Sequence, residues 1–74
     1  MVNVVLLRNR SVLMDIKTRS FSKAFDEVYN VDFGVDALND IIFQKLVIAK
    51  QSKNREFEFN IGQGLKLLIL KSML

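Results

Sequence analysis

The sequence predicts a small α+β domain: two β-hairpins forming an antiparallel sheet, with two helices packed on one face, in the order β-β-α-α-β-β. Three observations carry this expectation. Apolar residues alternate with period two near both ends of the chain, the period becomes helical between Ser20 and Gln51, and half of the 74 residues are hydrophobic. A chain of this length has room for one core, so residues 1–74 read as a single domain. So short a domain cannot hide all of that apolar surface, and the remainder must be exposed, buried in a second copy or buried in a partner.

Val2, Val4 and Leu6 point to one side of the first predicted strand, and Asn3, Val5 and Leu7 to the other. A second strand is expected from Val12 to Thr18. With Asn9-Arg10-Ser11 as a three-residue loop, Leu6 faces Met14, Val4 faces Ile16 and Leu7 faces Leu13. A slip of one residue would set Val4 against Asp15, so the apolar match selects this register.

Phe21, Ala24, Phe25, Val28 and Tyr29 then recur at helical spacing, with Ser20 or Ser22 as the N-cap. Asn30 and Gly34 predict the end of this helix. Asp36 is expected to cap a second helix reaching about Gln51, with Leu38, Ile41, Ile42, Leu46 and Ala49 as its inner stripe. Asp36 and Asp40 near its start, and Lys45 and Lys50 towards its end, match the helix dipole. That charge order favours the helix over a strand beginning at Leu46.

Phe57, Phe59 and Ile61 alternate with Glu56, Glu58 and Asn60 in a third strand. With Gly62-Gln63-Gly64 as the loop, Ile61 meets Leu65, Phe59 meets Leu67 and Phe57 meets Ile69. Leucine and lysine would also suit a helix after Leu65, but the apolar match across the loop favours a strand.

The chain contains neither histidine nor cysteine, which removes the commonest general base, the thiolate nucleophile and the usual zinc ligands. No catalytic residue, cofactor or metal is expected, and the chain does not read as an enzyme. Asp36 and Asp40 share a helix face, as magnesium ligands could, yet two acids in a first turn are accounted for by the helix dipole. Asp15-Ile16-Lys17 has part of a nuclease metal pattern but no acid upstream, and is read as a cross-strand surface charge pair. Asp32-Phe33-Gly34 matches a kinase triplet in a chain too short for the other kinase parts. Gly62-Gln63-Gly64 lacks the flanking residues of a phosphate loop and is read as a turn.

Charge after only a short apolar start is the reverse of a signal peptide, and no run approaches a membrane span. With no cysteine, a cytoplasmic location is expected, and membrane attachment is disfavoured. Plentiful Lys, Asn, Ile and Phe, few Ala and no Pro suit an AT-rich coding sequence, such as that of a phage, a mobile element or a low-GC bacterium.

The functional expectation is a non-enzymatic interaction or regulatory protein that binds and modulates a host protein, through an apolar sheet face or a strand edge. The interface residues it names are Val5, Leu7, Leu13, Leu68 and Leu70. The same face would support a homodimer, each side chain contributing about 1.5–3 kcal/mol if fully buried. The alternative is a nucleic-acid-binding regulator, given a net charge of +3, using Arg8, Arg10, Lys50, Lys53 and Arg55. Glu56 and Glu58, which alternate with Phe57 and Phe59, count against it, because the exposed positions there would repel phosphates.

Overall fold

The computed structural model describes residues 2–72. Among them, one antiparallel sheet of five strands has the order β3-β2-β1-β5-β4. The elements are β1 (Val2–Arg8), β2 (Ser11–Asp15), β3 (Ser20–Phe21), α1 (Lys23–Glu27), a π-helical turn (Val28–Asp32), α2 (Val35–Gln51), β4 (Glu56–Gly62) and β5 (Leu65–Lys71). The α+β class stands, with three strands rather than two ahead of the helices.

The centre of the sheet is the pairing of β1 with β5, unbroken from Val2↔Lys71 to Arg8↔Leu65. Its helix-facing side is apolar at every second position: Val4 and Leu6 from β1, and Leu65, Leu67 and Ile69 from β5. Leu13, Met14, Phe25, Val28, Leu38 and Ala49 complete the core, and Phe57, Phe59 and Ile61 pack against its border. Leu6, Leu67 and Ile69 are fully buried.

Both hairpins turn in two residues rather than three. Asn9 and Arg10 have φ of 51° and 67°, and Gln63 and Gly64 have 53° and 73°, the positive angles of a tight hairpin whose twist matches its strands. A shorter turn shifts the pairing by one, and a β-bulge in each hairpin restores it. In the first, Arg8 pairs with Ser11 and Leu7 with Val12, then the register steps so that Leu6 still meets Met14. The bulge falls at Leu13. Hence Leu7 opposes Val12, not Leu13. In the second, Gly62 rather than Ile61 meets Leu65, Ile61 is the bulged residue, and Phe59↔Leu67 and Phe57↔Ile69 are as expected.

β2 ends at Asp15 instead of Thr18 because the Asp15 carboxylate builds a turn. It accepts from the backbone N–H of Lys17 (3.0 Å) and Thr18 (3.4 Å) and from the Asn3 side chain (3.2 Å). Asp15 therefore organises the β2–β3 connection through backbone amides and the Asn3 amide rather than forming a cross-strand charge pair. The chain then returns as β3, opposite Met14 and Asp15.

Ser22 is the N-cap of α1, its hydroxyl accepting from the Phe25 N–H at 3.1 Å. The helical path does not stop at Asn30. It widens into the π turn, where the Phe33 N–H reaches the Val28 carbonyl, and the Asn30 side chain donates to the Asp26 carbonyl at 2.9 Å. Gly34, at φ 91°, is the N-cap of α2, which places Asp36 inside the first turn rather than at the cap. α2 runs to Gln51, and no strand begins at Leu46. Lys71 closes its far end: the ammonium donates to the Ala49 carbonyl (2.9 Å) and the Ser52 carbonyl (2.6 Å). This couples the last residue of β5 to the end of α2.

Leu67→Ala, at the fully buried centre of β5, should destabilise the fold by about 2–5 kcal/mol in urea titration, comparable with the whole stability of so small a domain.

Candidate protein-binding surface

The outward sheet face consists of three cross-strand rows. They are Val12–Leu7–Lys66–Asn60, Asp15–Val5–Leu68–Glu58, and Asn3–Leu70–Glu56. Of the five residues expected there, Val5, Leu7, Leu68 and Leu70 are on this face. Leu13 is not, because the bulge turns it into the core, where it is 5% exposed; Val12 takes the outward position. The face is less open than its composition implies. Val5 is 8% exposed and Leu7 and Leu68 are half-buried, with Lys66 and Glu58 ion-paired at 3.2 Å beside Leu68, so the open apolar groups of the face are Val12 and Leu70, 52% and 38% exposed, in its first and last rows.

The more accessible apolar surface is on the helical side. Strands repeat every 4.7–4.9 Å, so a five-stranded sheet is about 19 Å wide, and a helix with side chains covers about 10–12 Å. Two full helices are needed to cover it. α2 supplies one, but α1 and its π turn are short, and a groove of about 540 Å³ is left between them.

Its floor is Val2 and Val4 of β1 with Met14 and Ile16 from β2 and the turn beyond. One wall is Phe21, Phe25 and Tyr29, whose rings follow one another at 5.4 and 5.3 Å. The other wall is Asn39, Ile42 and Leu46 of α2. The Asn39 side chain donates to the Tyr29 hydroxyl at 3.0 Å, linking the two walls and placing a polar pair on an otherwise apolar site. Val2, Ile16 and Phe21 are 39%, 45% and 52% exposed.

The expected basic residues fall at two ends of the molecule. Arg8 pairs with Leu65 next to the hairpin turns, whereas the Arg55 carbonyl accepts from Lys71, which pairs with Val2. Six residues of strand, about 20 Å, separate the two groups. Arg8 has an internal role, with an ion pair to Asp32 at 3.5 Å and a hydrogen bond to the Gln63 carbonyl at 3.2 Å. Lys50, Lys53 and Arg55 remain at the other end, joined by Lys17 and Arg19 of the β2–β3 turn.

Asp36 and Asp40 are exposed, and among the described residues no three acidic side chains gather as metal ligands would. No helix among them is long and apolar enough to cross a membrane. Comparisons with protein-family models, curated proteins and solved structures find no match to this chain.

The groove was not legible as a site, although most of its residues were assigned to elements. The Phe21, Phe25 and Tyr29 series read as a helix face for a closed core; β3 and the short α1 leave that face partly open. Because Arg8 holds the π turn to the hairpin end, Arg8→Ala should lower stability by about 0.5–1 kcal/mol, measured by urea denaturation.

Proposed function

We propose that this protein works by binding another protein, receiving the apolar face of a partner's amphipathic helix in the groove between α1 and α2. The observation that carries this is the incomplete helical layer. A helix laid over the mouth of the groove, on the open side of the Asn39–Tyr29 bridge, with its apolar side chains entering between Phe21 and Phe25 on one side and Ile42 and Leu46 on the other, would complete the cover of the sheet. The rim is polar where Asn39 and Tyr29 meet, suiting a helix with one apolar face. The absence of histidine and cysteine supports a binding role over catalysis, and the role is that of a regulatory protein acting on a host factor.

A second reading has one observation in its favour: Lys17, Arg19, Lys50, Lys53 and Arg55 share one end of the molecule. Such an end could contact nucleic-acid phosphates, with affinity falling steeply as salt rises.

Affinity capture from lysate of the producing cell, with and without nuclease, tests both. Three baits are compared: the wild type, a groove variant carrying Ile16→Asp and Phe21→Asp, and an outer-face variant carrying Leu68→Ser and Leu70→Ser. A discrete protein should survive nuclease, bind the wild type and the outer-face variant, and be lost from the groove variant, with all three baits folded by circular dichroism. Capture insensitive to the groove charges would sink the groove as the site. Loss on nuclease treatment would transfer the role to the basic end.

A further inference from the structure

The side of α2 turned away from the sheet has features that the groove does not explain. Leu38 and Ala49 mark its inner face and are almost completely buried. About half a turn away, a second line runs the length of the helix: Asp36, Asp40, Phe43, Val47 and Lys50, spaced 4, 3, 4 and 3 residues apart. All five are exposed, and Phe43, at 67%, is the most exposed aromatic side chain among the described residues. Phe43 and Val47 thus form an apolar patch at the middle of a charged line, on a side of α2 that the sheet does not cover.

The order of residues along this line is self-complementary. Acids occupy its amino end, apolar groups its middle and a base its carboxyl end. When two such helices pack antiparallel about a two-fold axis near Lys45, Phe43 of each meets Val47 of the other, and Asp40 of each meets Lys50 of the other. Among the described residues, neither Asp40 nor Lys50 has an ion-pair partner within its own chain. The wider charge distribution agrees, with Asp36 in the first turn of α2 and Lys53 and Arg55 just after its end. A parallel arrangement would bring like ends together.

We propose that two copies of this chain associate through α2, antiparallel, with Phe43 and Val47 at the centre and reciprocal Asp40–Lys50 contacts on either side. This surface is distinct from the groove, so the dimer would carry two grooves open to partners. The outward sheet face takes no part in it.

The test is charge exchange, read as mass by sedimentation velocity. Asp40→Lys alone and Lys50→Asp alone each turn two opposite-charge contacts into two like-charge ones. Each should therefore weaken the dimer about tenfold or more. Mixed in equal amounts, the two variants should recover a dimer, because each chain then meets the opposite charge at both contacts. Both positions are exposed, and circular dichroism of each variant confirms folding. A wild type that stays monomeric overturns the proposal. So does a wild-type dimer that either single variant retains unchanged, which would move self-association to the sheet face or its edge, or single variants whose mixture remains monomeric.

Discussion

The pairing of the chain's first strand with its last is the constraint on which the rest of the structure depends. β1 and β5 are each too apolar on one side to stand alone, and each belongs to a hairpin too small to be stable in water. Placed side by side in an unbroken register, they join the hairpins into one sheet and bring Leu6, Leu67 and Ile69 into a common buried centre. The helices and the connections between them lie between the two hairpins in sequence, so closing the sheet confines them to one face. Lys71 then fastens that face, since its ammonium holds the carboxyl end of α2 and lies 6.0 Å from the centre of the Phe57 ring. Lys45 of α2 lies similarly over Phe59 at 5.2 Å.

This arrangement accounts for where apolar surface is left over. The outward sheet face is narrowed by its own neighbours: Val5 beside Leu68, and the Lys66–Glu58 pair at its border. On the helical side the supply of helix runs short. One long helix cannot cover five strands, and the residues that would complete the layer are spent on β3 and a π turn. α2, meanwhile, is apolar on its outer side as well as its inner one. The groove and the Phe43–Val47 line follow from one deficit, too much apolar side chain for the helix available to cover it.

Much of the fold was legible because period and register are local properties. The alternation of Phe57, Phe59 and Ile61 against Leu67 and Ile69 is visible in the order of residues, and α2 is bracketed by charges of opposite sign. What could not be read is what depends on backbone angle. Arg10 and Gln63 are not residues that advertise positive φ, so two-residue turns were not evident at either hairpin. The bulges at Leu13 and Ile61 follow from those turns. Leu13 shows the cost for the site: one residue of bulge moved it from the predicted interface into the core. The Asp15 turn and β3 were hidden for a related reason, since an aspartate that binds backbone amides and one that binds a lysine look alike in sequence. The groove was invisible because it consists of cover that is missing, not of a residue pattern. The basic residues read as one class divide between the hairpin end, where Arg8 is ion-paired to Asp32 and Arg10 is exposed in the turn, and an exposed group at the opposite end.

Amide hydrogen exchange, followed residue by residue in native buffer, tests the central claim most directly. If the β1–β5 pairing holds the fold together, the hydrogen-bonded amides between Val4 and Leu6 and between Leu67 and Ile69 should be the slowest to exchange, opening only with global unfolding. Those of β3 and the π turn should exchange much sooner. Slowest exchange in α2, or in one hairpin while the β1–β5 amides open early, would contradict the account and place the organising interaction elsewhere.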